Sequence, residues 1–226
     1  MILIIASNLD DNAALLKAKW PHATLLTVND LTAPGWEIAA TNFADSRLIA
    51  GGNKLKVTEV KGVINLLPVV MPYELFKIVP EDRKYVASEL NAFLFYFLTK
   101  FQCPFLNRPS AYNLTGPLVR QEEWIKECSK VSLPVYNTQS SEHVKFCSLT
   151  EGDRLKSVSY LNNTVFGNEA AGFCSRVTAL ANNTGHNYFT IHFKEKNNHL
   201  FFHSVSTYPD FNDEQTLLML EQYFKK

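Results

Sequence analysis

The sequence predicts an α/β fold in which an open, mostly parallel sheet is followed by an α+β part with antiparallel strands. A continuously apolar run at Ile2–Ala6 ends in polar turn residues and leads into a helix. A long amphipathic helix follows between residues 80 and 100. Short strands joined by Asn- and Gly-rich turns then dominate the second half. We therefore expect two domains, residues 1–109 and 110–226.

Strand and helix signals alternate in the first domain, which is typical of parallel sheets with crossover helices. Apolar and β-branched runs mark the strands, and acids before a helix with lysines after it mark the helix ends. The expected strands are Ile2–Ala6, Thr24–Val28, two around Lys61-Gly62 within Val57–Leu67, and Cys103–Leu106. The expected helices are Ala13–Lys19 and Pro80–Lys100.

Beyond residue 140, the second domain combines hairpins with two helices. Polar turns at Glu151–Asp153, Asn162-Asn163 and Glu195–Asn198 separate the strand signals. The expected strands are Val144–Leu149, Lys156–Tyr160, Thr164–Phe166, Tyr188–Phe193 and Leu200–Val205, and the expected helices are 169–182 and Asn212–Phe224.

Composition limits the possible partners and location. The 226 residues contain 22 basic and 22 acidic side chains, so no net charge favours nucleic acid or an anionic membrane. The first residues contain no basic n-region, and their apolar run is too short for a signal peptide. We expect a cytoplasmic protein with neither nucleic acid nor membrane as a partner. Its four cysteines have no C-x-x-C spacing, which favours buried, reduced thiols.

The stretch Cys103–Val135 carries the strongest motif. A strand ends in Asn107-Arg108-Pro109, and a helix around Trp124 then leads to Leu133-Pro134-Val135. This order resembles the passage into the nucleotide-binding part of ATP-grasp ligases with the RimK-like architecture. The resemblance implies a pre-ATP-grasp-like α/β domain over 1–109 and an abridged ATP-grasp-like α+β domain over 110–226.

The C-terminal part resembles the same family but lacks its metal ligands. The family's strand of the form [GA]-[VI]-D-[FL] is matched by Thr190–Phe193, and its F-[LI]-E-[VI]-N-x-x-P segment by Phe202–Pro209. His192, Ser204 and Ser206 therefore stand where the resemblance implies the Asp, Glu and Asn. Magnesium prefers carboxylate and amide oxygen ligands. We expect no metal at these positions.

The nucleotide side is also reduced. The family carries two lysines that bind the nucleotide, and Arg120 and Lys145 are the cations nearest to those positions. Only about two dozen residues lie between Val135 and Val158, too few for an ATP-binding subdomain built of several strands and a helix. We expect no cofactor, with ATP and Mg bound only if the protein is an enzyme.

Several polar side chains are candidate ligand contacts, each with a structural alternative. Asn107, Arg108 and Arg120 could form a pocket for an anion or carboxylate at a strand end, or they could cap the turn and form ion pairs. Arg83 and Asn91 belong to a polar cluster at the start of the long helix. Helix capping explains the acids of this cluster, and Arg83 and Asn91 could contact a substrate beside the sheet. The histidines at 192, 199 and 203 could bind a transition metal if the strand register brought them together.

Three functions compete. The first, which the missing ligands favour, is a degenerate ATP-grasp-like protein that acts as a non-catalytic binding or accessory subunit beside a ligase or biosynthetic partner. It would bind a protein or a small carboxylate ligand and could form a homodimer or heteromer. The second is a minimal ATP-dependent carboxylate–amine ligase in which Arg120 and Lys145 replace the lysines and Asp210 restores the metal site. The third is an unrelated interaction module using exposed Trp36, Tyr73, Phe76 and Trp124.

Overall fold

The computed structural model describes residues 1–135, 155–196 and 198–225. The chain divides into two compact units, one formed by Met1–Pro117 with the residues from Gln222 onward, the other by Leu118–Glu221. Residues just after 109 lie with the first unit because the Asn65 side chain donates to the Leu114 carbonyl (2.7 Å). The predicted domain boundary at 109 stays a prediction.

The first unit contains the predicted parallel sheet. Its strand order is β2-β1-β5-β6, and all neighbours pair in parallel. A separate antiparallel hairpin joins β3 to β4. The strands are β1 (Ile2–Ala6), β2 (Ala23–Thr27), β3 (Arg47–Ala50), β4 (Asn53–Lys56), β5 (Gly62–Asn65) and β6 (Phe105–Leu106), and the helices are α1 (Asp11–Lys19), α2 (Val28–Leu31) and α3 (Arg83–Thr99).

The sequence prediction was wrong in the middle of this unit. Val57–Glu59 forms a 3-10 turn instead of a strand, because the Glu59 carboxylate accepts a hydrogen bond from the Lys56 amide (3.0 Å) and the chain turns there. The β3–β4 hairpin was not predicted, although Gly51 and Gly52 both adopt positive φ values between its strands. A Gly-Gly pair is a hairpin signal because glycine reaches this conformation without steric cost.

Helix α3 covers the core of the first unit. Leu94, Phe97 and Leu98 on its inner face are fully buried and pack with residues of β1 and β5. Phe97 also contacts the rings of Trp36, Phe43 and Phe101 edge to face. Such aromatic pairs add to the free energy gained by burying their apolar area. The wide apolar stripe predicted for this helix is thus explained by core packing.

The second unit contains an antiparallel sheet of strand order β10-β9-β7-β8. As predicted, Asn162 and Asn163 form the tight β7–β8 turn, and both have positive φ. The strands are β7 (Leu155–Leu161), β8 (Thr164–Phe166), β9 (Tyr188–Lys196) and β10 (His199–Ser206), and the helices are α4 (Gln121–Lys130), α5 (Cys174–Thr184) and α6 (Glu214–Phe224), of which the residues from Gln222 onward belong to the first unit. The parallel sheet and the antiparallel sheet confirm the predicted fold class.

Leu133–Val135 is not a strand. The Pro134 carbonyl accepts one backbone hydrogen bond from Phe202 (2.7 Å), but proline has no N–H with which to continue a ladder. The predicted strand Val144–Leu149 lies outside the described residues. No helix within the described ranges is long and apolar enough to cross a membrane.

Candidate functional site

One face of the second sheet is lined by small polar side chains. The register pairs Ser157 and Ser204 with His192, and Ser159 and Ser206 with Thr190. Residues paired across strands share a face, and their sequence neighbours point to the opposite one. Val158 and Ile191 accordingly face the core of the second unit. The six polar positions, residues 157, 159, 190, 192, 204 and 206, are called the polar face below.

Hydrogen bonds connect the polar face from strand to strand. Nδ1 of His192 lies 2.9 Å from Oγ of Ser157, and the hydroxyl oxygens of Ser159 and Thr190 are 2.8 Å apart. Oγ1 of Thr190 also lies 3.1 Å from the Tyr188 hydroxyl. The Ser206 hydroxyl instead donates to the Tyr208 carbonyl (2.8 Å). Side chains of the polar face therefore orient the hydroxyls of Ser157, Ser159 and Thr190, whereas the main chain orients that of Ser206.

A cavity of about 470 Å³ opens beside the polar face, within the size range of small-molecule sites. Its walls are β7, β9, the segment after β8, and the chain around the start of α6. The described residues that line it are Leu155, Lys156, Ser157, Ser159, Phe166, Gly167, Asn168, Glu169, Thr190, His192, Asp210, Asp213, Gln215 and Thr216. We call this the polar cavity.

Charge in the polar cavity is unevenly distributed. Nζ of Lys156 lies 2.8 Å from Oε1 of Glu169 and 3.5 Å from Oε2 of Glu195, so its charge is shared by two carboxylates. The hydrogen bond to Glu169 raises the pKa of Lys156. Asp210 accepts from the Asn212 amide (2.9 Å), and Asp213 from the amide and hydroxyl of Thr216 (2.8 and 2.6 Å). Within the described residues neither aspartate forms an ion pair.

His192 is neutral at pH 7. Burial is the main cause that lowers its pKa below the usual value, and the nearby His203 lowers the pKa further, while Asp210 acts in the opposite direction. Because the ring is uncharged, it adds a hydrogen-bonding group to the cavity without adding a positive charge.

The register brings together the three positions that the family resemblance implies as metal ligands. His192 pairs with Ser204, and Ser206 lies two residues further on the same face. These side chains offer an imidazole and two neutral hydroxyls, a poor set for magnesium. Across the described ranges, no group of three or more His, Cys, Asp or Glu is arranged to hold a metal ion.

Of the candidate residues at the end of β6, Arg108 contacts main-chain carbonyls of the segment before the strand. Asn107 is buried and adopts a left-handed conformation (φ 49°). The Arg108 guanidinium donates to the carbonyls of Phe101 (2.7 Å) and Cys103 (2.9 Å) and lies over the Phe105 ring. These contacts account for the turn. A ligand role for either residue stays a prediction.

Arg83 and Asn91 on α3 also bind main-chain groups. Nε of Arg83 donates to the Ile78 carbonyl (2.9 Å). The Asn91 amide accepts from the Val70 amide (2.7 Å) and donates to the carbonyls of Val70 (3.1 Å) and Ala87 (2.8 Å). Asn91 therefore holds the segment after β5 against the helix.

The remaining candidates are spread over the second unit. Arg120 is exposed at the start of α4, where its amide donates to the Glu123 carboxylate (2.8 Å). His203 lies at a bulge of β10, and its carbonyl accepts from the Gln121 side chain (2.8 Å). His199 begins β10 and is exposed. Lys145 lies outside the described residues.

Two expectations about surface residues were wrong. Trp124 is buried in the core of the second unit, and Trp36 packs against α3, whereas Tyr73 and Phe76 are exposed as expected.

The second expectation concerned the cysteines. Cys174 is exposed although its thiol was expected to be buried. Cys128 is buried, and burial raises its pKa to about 12.

Sequence reasoning missed most of the polar cavity. Lys156, Glu169, Asp213 and Thr216 were not considered as site residues, and Asp210 was considered only as a metal ligand. One signal was available: Ser157 and Ser159 alternate with Val158 along a predicted strand that continues apolar on its other face. The acidic wall comes from distant segments and has no such signal.

Solved structures share this architecture. The macrocyclase MdnC from Microcystis aeruginosa MRC, bound with its precursor peptide MdnA, matches with a TM-score of 0.65 at 10% identity, over 100% of this chain and 99% of MdnC. The protein thus has the ATP-grasp-like fold that its sequence predicted. No family model and no curated protein matches the sequence.

Two other structures support the same conclusion about the fold. The ATP-grasp ligase PsnB, complexed with a minimal precursor, Mg and ADP, matches with a TM-score of 0.63 at 11% identity, over 100% of this chain and 98% of PsnB. A RiPP-associated ATP-grasp ligase from Chryseobacterium gregarium, in complex with ADP and a leader and core peptide, has a TM-score of 0.58 at 11% identity, over 99% and 93% of the two chains.

Proposed function

We propose that the protein is a non-catalytic member of the ATP-grasp-like fold that binds a protein or peptide and serves as an accessory subunit of a ligase system. The observation that carries this proposal is the polar face. His192, Ser204 and Ser206 occupy adjoining positions of one register, where the resemblance implies the metal-binding Asp, Glu and Asn.

Electrostatics supports the absence of nucleotide chemistry. ATP-grasp ligases use magnesium to bridge the ATP phosphates, and the metal needs hard anionic oxygen ligands. On the polar face the described side chains are neutral. The single described cation that lines the adjacent cavity, Lys156, is already bound by Glu169 and Glu195, so it is a poor partner for a phosphate.

The similar structures support a peptide or protein partner. MdnC is described as bound with its precursor peptide, and PsnB as complexed with a minimal precursor. A chain that keeps this fold can keep a peptide-binding surface after losing the metal ligands, because a fold does not fix which functional residues it carries.

Calorimetry with Mg-ATP, Mg-ADP and Mg-AMPPNP tests the catalytic part. We expect no heat of binding and no rise in Tm at millimolar nucleotide, with PsnB as the positive control. A nucleotide at 100 times its Kd would stabilise the native state by about 2.7 kcal/mol. An increase of that size in the free energy of unfolding of this protein would overturn the proposal.

Copurification tests the accessory part. The tagged chain is coexpressed with each complete ATP-grasp ligase and each short precursor-type peptide encoded by the same source, and native mass spectrometry reports the stoichiometry. We expect a defined complex with one of these partners. A chain that stays free of all of them, although folded, contradicts the accessory role.

A minimal ATP-dependent carboxylate–amine ligase is the second candidate, and one observation favours it. Asp210 lines the same cavity as His192 and could supply a carboxylate oxygen to a metal. This candidate requires that Mg-ATP binds and that Asp210→Asn removes the binding, which the same calorimetry measures.

A further inference from the structure

The polar cavity is acidic where the described residues line it. One lysine and three carboxylates, those of Glu169, Asp210 and Asp213, face a space of about 470 Å³. Glu195, just outside the lining, also contacts Lys156. The two aspartates lie near the start of α6 and have no cationic partner in the described residues. The described lining is therefore net negative by two charges at neutral pH, since one cation opposes three anions.

The start of α6 carries acidic residues of its own. Helix N-termini normally attract anions through their free N–H groups. Here the Asp213 carboxylate accepts from the Thr216 amide (2.8 Å), and the first turn contains a further acid, Glu214. An incoming phosphate or carboxylate would meet the Asp213 charge at this end of the helix.

Neutral hydrogen-bonding groups complete the cavity. Ser157 and His192 form one pair, and Ser159 and Thr190 form another. Hydroxyl oxygens accept hydrogen bonds readily, and each retains acceptor capacity beside its existing partner. The cavity thus offers negative charge at one wall and acceptor atoms at another.

We propose that the polar cavity binds an ammonium or guanidinium group, as carried by a lysine or arginine side chain of a peptide partner or by a free amine. The carboxylates of Asp210 and Asp213 supply the charge, and the hydroxyls of the polar face accept the remaining N–H groups. This inference rests on the proposed non-catalytic function, since in the alternative ligase Asp210 would bind a metal instead.

Calorimetry on the full chain at low salt tests whether the polar cavity binds a cationic group. The cationic ligands are putrescine and a capped lysine-containing heptapeptide; the neutral control is the same peptide with glutamine in place of lysine. We expect at least one cationic ligand to bind about tenfold more tightly than the glutamine peptide, the size of one charge-assisted hydrogen bond. Putrescine binding alone indicates a free amine, and peptide binding indicates a side chain.

Two substitutions with opposite effects locate the site. Asp210→Asn retains the oxygen that accepts from Asn212 and should weaken binding about tenfold. Lys156→Gln removes the cavity's lysine and should tighten binding several-fold, an effect that loss of structure cannot imitate. Asp82→Asn, an equal change of charge on an exposed residue of the first unit, should leave the affinity unchanged.

The outcomes are separable. Equal binding of the glutamine peptide, or no effect of either cavity substitution, overturns the cationic site. Tight binding of MgCl₂ alone that Asp210→Asn abolishes also overturns it in favour of a metal. Mg-ATP binding overturns the proposed function itself. If neither nucleotide nor amine binds, only the cationic site is lost.

Discussion

Nδ1 of His192 lies 2.9 Å from the hydroxyl oxygen of Ser157, and this pair lies at the centre of the polar face. Burial keeps the His192 pKa below its usual value. The unfolded chain therefore binds a proton more readily than the folded one, so the free energy of unfolding falls as the pH drops through the unfolded pKa near 6.5. The loss is complete once the pH is below the folded pKa.

Replacing this histidine should reduce that pH dependence. We expect His192→Asn to lose less stability than the wild type between pH 7.5 and 5, as measured by urea denaturation at each pH. An NMR titration of the wild-type ring gives the pKa directly. A pKa above 6.5, or identical pH profiles of the two proteins, contradicts this prediction.

Gly62→Ala should destabilise the first unit. A Cβ atom at Gly62 would overlap the ring of Phe224, which also contacts Trp20 edge to face. Overpacking of this kind costs roughly 1–3 kcal/mol. Gly172→Ala is the matched control because a Cβ atom there would have open space around it, with no neighbour within 4 Å, and urea denaturation should show little change. Equal stabilities of the two variants would refute the close approach of Phe224.

Asn91→Leu should be destabilising because it removes the partner of both main-chain groups of Val70. Val70 is buried, and each unsatisfied buried group costs about 1–3 kcal/mol. The exposed Asn12→Ala on α1 should change the free energy of unfolding by less than about 0.5 kcal/mol. A stable Asn91→Leu protein that loses ligand or partner binding would instead support the predicted contact role of Asn91.

The cysteines should differ in reactivity. Cys174 is exposed, whereas burial raises the pKa of Cys128 to about 12 and keeps its thiol protonated at pH 8. Thiolates are the reactive form, so iodoacetamide should modify Cys174 first and Cys128 only after unfolding in guanidinium. Peptide mass spectrometry after timed quenching measures both rates. Equally fast modification of both in the native protein would contradict the buried environment of Cys128.

Local patterns predicted most of the secondary structure. Ile2–Ala6 is β1, and Asn162-Asn163 forms the turn that its residue types favour. One error arose where a single side chain decided the backbone. The Glu59 carboxylate turns the chain at Val57, where the apolar run predicted a strand. Periodicity reports burial and does not detect such contacts.

For the candidate site as well, some features were predictable from the sequence and others were not. The sequence resemblance identified His192, Ser204 and Ser206, but their sharing of one face depends on a register that includes a bulge at His203. Arg108 and Asn91 were predicted as ligand contacts from their places beside a strand end, and that role stays a prediction. The structure adds their main-chain partners, which are close by in the fold and which the sequence does not reveal.

The sequence by itself determined the α/β class, the order of most elements and the identity of the residues at the implied metal positions, because these depend on periodicity and on residue type. Only the tertiary structure determined where the polar cavity lies and which residues line it. Its acidic wall combines residues about 40 positions apart, Glu169 with Asp210 and Asp213, and long-range packing places them opposite the hydroxyls of β7 and β9. The charge of a cavity depends on which residues the fold brings together, and the spacing of these residues along the chain does not reveal it.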